Sequence, residues 1–182
     1  LDETCLEMDV ALDQEPPPPL PVTLILSLPR PKVLRRVLMS VTTMGVKKIY
    51  LINSFRVEKS FWQTPFLEEG SVRQQLILGL EQAKDTVMPQ VHLRRLFKPF
   101  MEDELPDIIR GTTPLIAHPH DADPFSSGMC GPVTLAIGPE GGFIPYEVER
   151  LKETGFRAVS LGERILTVET AVPALLSRLW YN

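Results

Sequence analysis

The chain has 182 residues, of which 43% are hydrophobic and 23% are charged, as is typical of a globular domain with a substantial core. The formal net charge of −4 excludes a generally basic nucleic-acid-binding protein, so any RNA contact must depend on local clusters of Lys and Arg. No apolar run is long enough to span a membrane and no signal peptide opens the chain, which favours a cytoplasmic protein.

The first 21 residues are expected to be the end of a preceding domain and a linker. The chain opens on Leu1 rather than Met, so we expect it to begin inside a longer product. Residues 16–19 are all proline, which can form neither a helix nor a central strand and predicts a stiff linker. We therefore expect the main domain at residues 22–182. Cys5 and Cys130 make no disulfide framework and lack zinc-ligand spacing, so we expect no metal.

Strand-like and helix-like segments alternate after the linker. Short apolar runs predict strands at residues 22–28, 49–52, 91–96, 114–117, 133–137 and 158–161. Helical spacing predicts a helix from Pro31 to before Gly45, and further helices at residues 71–85, 102–110, 145–154 and 170–180, the last capped by Thr170. This alternation predicts an α/β domain with a mostly parallel sheet.

Positive charge is concentrated in a few short runs. They are Arg30, Lys32, Arg35 and Arg36, then Lys47 and Lys48, then Arg94, Arg95 and Lys98. Such runs are more often solvated faces than nucleic-acid sites, so they permit RNA binding without establishing it.

A glycine-rich segment, residues 137–143, follows a predicted strand and precedes a predicted helix. Glycines let the backbone turn sharply or approach a ligand, and the start of a helix offers unpaired N–H groups to an anion. A tight turn with no ligand explains the same pattern.

A second unusual segment, residues 161–171, leaves a strand, turns at Gly162 and runs into the last helix. Arg164 and Glu169 flank the apolar pair Ile165 and Leu166. Each charge, taken alone, is more often a surface ion pair than a catalytic group.

Together the two segments resemble the RsmE family. The shared motifs are, in order, Gly138-Pro139-Glu140-Gly141-Gly142-Phe143, Gly155-Phe156, Leu161-Gly162, Arg164-Ile165-Leu166 and Glu169-Thr170-Ala171. Upstream counterparts are Leu28-Pro29-Arg30-Pro31-Lys32, Met44-Gly45-Val46-Lys47-Lys48-Ile49, and Leu80-Glu81-Gln82-Ala83 with Pro89. The resemblance covers nearly everything after Val22, and the combination is specific although each motif alone is not.

RsmE proteins are methyltransferases of the SPOUT superfamily that use S-adenosylmethionine to modify N3 of a uridine in small-subunit ribosomal RNA. The resemblance implies a parallel sheet flanked by helices, with a C-terminal trefoil knot, which sequence rules would not propose because knots are nearly absent from proteins. It also implies a homodimer and an N-terminal RNA-binding domain resembling PUA domains, of which residues 1–21 would be the remnant.

The resemblance places the cofactor pocket in the knot loops. We expect the cofactor to be held by Leu115, Ile116, Ala117, Ile137, Gly138, Pro139, Glu140, Gly141, Leu161, Gly162, Ile165, Leu166, Thr170 and Ala171. By residue type, Glu169 is the candidate general base for the N3 proton, and Arg164 the group that stabilises charge on the uracil oxygens. RNA binding is assigned to Arg30, Lys32, Arg35 and Arg36. Gly141→Val is expected to abolish cofactor binding.

Two departures from the family pattern leave alternatives open. Thr167 stands where the family has a second arginine, and Asp85 lies near another usual arginine position. Another RNA substrate such as transfer RNA, or an inactive dimer that binds RNA or nucleotide, is compatible with these changes. An unrelated phosphate-binding protein explains the glycine loop but not residues 164–171.

The apolar residues of 172–180 are expected to form the homodimer interface.

Overall fold

A parallel sheet organises the described part of the chain. The computed structural model describes residues 5, 7–11, 13–125 and 131–180, so Cys130 lies outside the described residues. The strands are β1 (Leu20–Ser27), β2 (Val46–Ile52), β3 (Gln90–Arg94), β4 (Thr113–Ala117), β5 (Asp123–Pro124), β6 (Val133–Ile137) and β7 (Arg157–Ser160). Over these residues the seven strands lie in the order β3-β2-β1-β6-β4-β7-β5, and every neighbouring pair is parallel. The predicted α/β class with a parallel sheet is confirmed.

The helices lie close to where the sequence predicts them. They are α1 (Pro31–Thr43), α2 (Glu69–Ala83), α3 (Phe97–Pro99), α4 (Leu105–Ile108), α5 (Pro145–Glu153) and α6 (Val168–Trp180). Two 3₁₀ turns, Lys59–Gln63 and Pro65–Leu67, precede α2, and a π-helical turn, Phe100–Glu104, joins α3 to α4. The helix predicted over residues 102–110 is therefore part of an interrupted stretch, because Pro106 has no N–H to donate to an earlier carbonyl. None of the described helices combines the length and the apolar character needed to cross a membrane.

The last helix begins at Val168, and Thr167 rather than Thr170 precedes it. The backbone N–H groups of Thr170 and Ala171 donate to the Thr167 carbonyl at 3.0 and 2.8 Å, and the two threonine hydroxyls lie 3.0 Å apart. Threonine is a favoured N-cap residue. Thr167, which stands where the resembled family has arginine, therefore lies at the start of α6 with its hydroxyl against that of Thr170.

Two hydrophobic clusters cover the two faces of the sheet. Successive side chains of β1 enter opposite clusters, with Leu24 and Leu26 on one face and Ile25 on the other. The larger cluster includes residues of α1, α2 and α6, and the smaller one residues of α4 and α5. Because both faces are covered, β6 is buried along its whole length, as expected of an interior parallel strand.

The apolar residues of α6 lie in the core of a single chain. Val172, Leu175, Leu176 and Leu179 are at most 2% exposed and belong to the larger cluster. For these four side chains the predicted place in a dimer interface is wrong, because they are buried within their own chain. The side chain of Trp180 lies outside the described residues.

Asp85 forms a buried ion pair at the end of α2, beside the start of β2. The Lys47 Nζ lies 2.5 Å from Asp85 Oδ2, and the Val87 N–H donates to Asp85 Oδ1 at 2.9 Å. Burial by itself would raise the pKa of Asp85, but hydrogen bonds from Lys47 and from the backbone of Val87 and Thr86 hold that pKa below its usual value. This departure from the family pattern therefore has a structural role at the amino edge of the sheet.

We expect Asp85→Asn to lower the free energy of unfolding by about 2 kcal/mol at pH 7, because Lys47 loses its charged partner. The folded-state pKa lies below the unfolded value of about 4, so this stabilisation is complete above about pH 4 and is lost as the pH falls through the folded-state pKa. Denaturant unfolding of both proteins at about pH 7 and about pH 2.5 measures the change. Asp107→Asn, at an exposed carboxylate, is the control. An equal destabilisation at both pH values would contradict the prediction.

Candidate functional site

The loops that follow β4, β6 and β7 border a cavity of about 650 Å³ at the carboxyl edge of the sheet. β4 pairs with both β6 and β7, so the parallel topology brings the three loops together. Ligands of open parallel sheets bind at this edge. Small-molecule sites have volumes of about 300–1,000 Å³, so the cavity is large enough for one.

Most of the predicted cofactor-binding residues border this cavity. They are Ala117, Ile137, Gly138, Pro139, Glu140, Gly141, Leu161, Gly162, Ile165, Leu166 and Ala171. Leu115 and Ile116 instead lie within the two hydrophobic clusters, because side chains in the middle of β4 point toward the faces of the sheet. Thr170 lies in the first turn of α6 and is not among the residues that line the cavity. The cavity wall on β4 therefore begins at its last residue, Ala117.

The turn after β6 leaves no room for a side chain at Gly138. A Cβ there would lie 2.9 Å from the backbone nitrogen of Phe143 and 3.1 Å from the carbonyl carbon of Gly142. The Gly142 N–H donates to the Pro139 carbonyl at 2.7 Å, and Gly142 has φ +72°, a conformation that favours glycine. The turn is therefore tight, and it also lines the cavity.

Two side-chain contacts fix this turn to neighbouring loops. Glu140 Oε1 accepts a hydrogen bond from the Arg30 N–H at 2.9 Å, and the Arg56 guanidinium donates to the Gly141 carbonyl. Arg30 follows β1 and Arg56 follows β2, so the loops after β1, β2 and β6 are held together. Arg56 also borders the cavity, although a single arginine after a strand gave no signal in the sequence.

Glu147 is a buried carboxylate that sequence reasoning missed. It is 2% exposed, and its two oxygens accept hydrogen bonds from the N–H groups of Phe55 at 2.7 Å and Ile144 at 3.0 Å. The sequence predicted that the start of this helix could bind a ligand anion, but the protein's own carboxylate lies there, where the helix dipole favours it. The only signal was a glutamate in the first helical turn, at the spacing of a capping box.

Arg164 lies on the loop between β7 and α6 and borders the cavity. The loop turns at Gly162, which has φ +126°, and the Gly162 N–H donates to Ser160 Oγ at 3.0 Å. Arg164 is exposed, and the next residue, Ile165, is 75% exposed. Within the described part of the chain Arg164 takes part in no ion pair, so its charge is available to a bound molecule.

Glu169 contacts α1 instead of the cavity. Its Oε2 lies 3.0 Å from Arg36 Nη1, and Glu169 is not among the residues that line the cavity. This contact joins residues 133 positions apart in sequence, which is why residue type and local spacing did not reveal it. The geometry gives no support to Glu169 as the general base.

The predicted RNA-binding residues are exposed at the start of α1, on the same edge of the sheet as the cavity. Arg36 is paired with Glu169, and the guanidinium of Arg35 lies 5.0 Å from the centre of the Phe66 ring. Among the described residues, Arg30 and Lys32 form no ion pair. These two are therefore the cations of the cluster most available to RNA.

The loop after β4 contributes three polar residues that the sequence did not point to. His118, His120 and Asp121 border the cavity, and His118 Nδ1 lies 2.6 Å from the His120 carbonyl oxygen. Across the described residues, no three His, Cys, Asp or Glu side chains are grouped so that they could hold a metal ion. A short His-Pro-His segment after a strand has no specific pattern, which is why it was not singled out.

The chain matches the RNA methyltransferase domain family over residues 16–180. It is 32% identical over 158 residues to ribosomal RNA small subunit methyltransferase E of Treponema pallidum, covering 85% of this chain and 59% of that protein. It is 23% identical over 154 residues to ribosomal RNA small subunit methyltransferase E 1 of Borreliella burgdorferi, covering 82% of this chain and 63% of that protein. The chain thus spans about three-fifths of the length of these relatives.

The fold is similar to that of a solved structure, ribosomal RNA small subunit methyltransferase E from Neisseria gonorrhoeae bound to S-adenosyl methionine. The TM-score is 0.72 at 26% identity, and the match covers 92% of this chain and 68% of that one. These similarities confirm the resemblance to RsmE proteins. With a match that extends from residue 16 to residue 180, the chain belongs to the RNA methyltransferase domain family.

Proposed function

We propose that this chain transfers the methyl group of S-adenosylmethionine to N3 of a uridine in small-subunit ribosomal RNA. The observation that carries the proposal is the cavity formed by three loops at the carboxyl edge of the sheet, in a member of the RNA methyltransferase domain family. The Neisseria gonorrhoeae relative binds S-adenosyl methionine, and the names of the relatives specify the small ribosomal subunit. The choice of N3 rests on the resemblance to RsmE proteins.

The residues around the cavity fit this cofactor. Ile137, Val159 and Leu161 supply apolar walls suited to an adenine ring. Three of the five residues in the turn at 138–142 are glycine, so a ligand can approach the backbone there. When bound, the cofactor supplies an electrophilic methyl group on a sulfonium, which requires no metal. We propose that Ala117 and the two loops after β6 and β7 hold it.

The chain's own contribution to the reaction is positioning and charge stabilisation. The reacting nitrogen must lie in line with the methyl group, which the rigid loops around the cavity favour. Loss of the N3 proton to water leaves negative charge spread over N3 and the uracil oxygens. That charge is consumed as the new N–C bond forms and the methyl–sulfur bond breaks, which turns the sulfonium into a neutral thioether. We assign the stabilisation of that charge to Arg164, which borders the cavity and has no ion-pair partner in the described residues.

We assign Glu169 a positioning role, since its contact with Arg36 ties the start of α6 to α1. Glu169→Gln keeps a hydrogen-bonding group of the same shape, so we expect a single-turnover rate within about 3-fold of the wild-type rate, with an unchanged pH profile. Loss of a general base would instead lower the rate by about 10²–10⁴-fold. Arg36→Gln removes the other partner and should change the melting temperature as little as Glu169→Gln does, because the pair is exposed. A large rate loss that recovers at higher pH would restore the general-base hypothesis.

The direct test is methyl transfer from labelled S-adenosylmethionine to small ribosomal subunits isolated from cells that lack the modification. Nucleoside analysis of the product should find 3-methyluridine, and transfer RNA should accept no label. Label in transfer RNA alone would support a different RNA substrate. Cofactor binding without label in either RNA would support an inactive RNA-binding protein.

Three further features implied by the resemblance are part of the proposal. We propose that the residues before β1, which begins at Leu20 and not after residue 21 as expected, are the end of an N-terminal RNA-binding domain and its linker. We also propose that the segment leading into α6 is knotted and that the chain forms a homodimer. The position of α6 supports the knot, because the chain leaves β7, which lies beyond β6 and β4 in the sheet, and then packs α6 against α1. Light scattering at micromolar concentration tests the dimer.

A further inference from the structure

Phe55 is the most exposed large hydrophobic side chain among the described residues, at 78%. It lies on the loop that follows β2, at the same edge of the sheet as the cavity. The next residue, Arg56, borders the cavity and contacts the turn after β6. Covering a largely exposed phenyl ring with a flat apolar surface is energetically favourable.

The backbone beneath this ring is firmly held. The Phe55 N–H donates to the buried carboxylate of Glu147 at 2.7 Å, and Arg56 donates to the Gly141 carbonyl. Ser54 and Val57 on either side are buried, and the Val57 N–H donates to the Ser54 carbonyl at 3.1 Å. The exposure of Phe55 therefore does not come from a loose loop, and little backbone freedom is lost when a partner binds the ring.

Four cations follow β1 and β2 at the same edge of the sheet as the ring, although the chain as a whole is acidic. Arg30 and Lys32 follow β1, and Arg56 and Lys59 follow Phe55. Among the described residues, none of these four forms an ion pair. A protein partner would need a continuous apolar patch, whereas this ring stands between charged neighbours. Aromatic rings flanked by Lys and Arg are typical of surfaces that bind single-stranded nucleic acid.

We propose that an unpaired RNA base next to the target uridine stacks on Phe55, while Arg56 and Lys59 contact the adjacent phosphates. This inference rests on the proposed function for the identity of the substrate as RNA. It assigns a substrate-binding surface to the loop after β2, outside the residues that hold the cofactor. Stacking tolerates any base, so the surface would position the RNA strand without selecting its sequence.

The test is binding of this chain to a fluorescent, uridine-rich single-stranded RNA of about 20 nucleotides, measured by anisotropy. Phe55→Ala should raise the dissociation constant by about 10-fold, the scale of losing one stacked base. Phe55→Trp should restore binding to within about 3-fold of wild type, because it keeps an aromatic face. Val87→Ala is the matched control, since Val87 is an exposed apolar residue at the opposite edge of the sheet. Cofactor affinity and melting temperature should not change in any variant.

Three results would overturn the inference: wild-type RNA affinity in Phe55→Ala, an equal loss in Phe55→Trp, or no RNA binding by the unmodified chain. The proposed reaction can be refuted independently of this RNA-binding surface. A chain that binds RNA through Phe55 but methylates no small-subunit RNA would refute the reaction and keep the surface. A Phe55→Ala variant that methylates small subunits with an unchanged KM for RNA would refute the surface and keep the reaction.

Discussion

Replacing Arg164 by Ala should lower the single-turnover rate of methyl transfer by about 10²-fold or more, with cofactor affinity unchanged. Arg164 borders the cavity, and among the described residues it has no ion-pair partner, so its guanidinium can interact with charge that develops on the substrate. Removing one preorganised hydrogen-bond donor that interacts with such charge typically lowers the rate by about 10²–10³-fold. Because the effect is confined to the transition state, the ground-state complex with the cofactor should form as before.

The measurement is the rate at saturating cofactor with small ribosomal subunits as substrate, together with calorimetry of cofactor binding. Arg164→Lys keeps the charge but loses the planar pair of donors, so an intermediate rate is expected. Arg157→Ala, at an exposed arginine that starts β7 and lies away from the cavity, is the matched control and should keep the wild-type rate. A wild-type rate in Arg164→Ala would mean that the catalytic centre has been placed wrongly.

Gly138→Ala should weaken cofactor binding by about 10–100-fold. The added Cβ would meet backbone atoms of Phe143 and Gly142 at 2.9–3.2 Å, and backbone in a closed turn cannot move aside without changing the cavity wall. Overpacking of this kind costs about 1–3 kcal/mol, and each factor of ten in affinity corresponds to about 1.4 kcal/mol. We expect the turn to open to relieve this strain, and the altered cavity wall would then bind the cofactor about 10–100-fold more weakly.

Gly141→Ala provides the comparison for this substitution. Its Cβ would come within 2.9 Å of Arg56 Cδ, a side-chain atom that can give way more readily than backbone, at the cost of the hydrogen bond from Arg56 to the Gly141 carbonyl. We therefore expect a smaller loss of affinity than at Gly138, and calorimetry of both variants measures the difference. Circular dichroism and the melting temperature check that β6 remains folded. Equal affinities of Gly138→Ala and the unmodified chain would remove the turn from the cofactor site.

Features that depend on neighbours in sequence could be predicted from the sequence. The strand β6 coincides with the predicted residues 133–137, and α1 begins at Pro31 as expected, because apolar runs, proline and helical spacing act over one or two turns. The glycine-rich turn after β6 was identified for the same reason. Recognition of the family added the expected location of the cofactor loops, because the order of motifs along the chain is itself a sequence property.

Only the tertiary structure determined which partners the individual side chains contact. Glu169 has the residue type of a general base, but its carboxylate contacts Arg36, 133 positions away, and the loop of Phe55 is held by Glu147, 92 positions away. The apolar residues of α6 suggested a dimer surface until the fold placed them in the core. In each case a side chain's role depends on which distant segment lies next to it. The sheet order determines that, and the local pattern of residues does not.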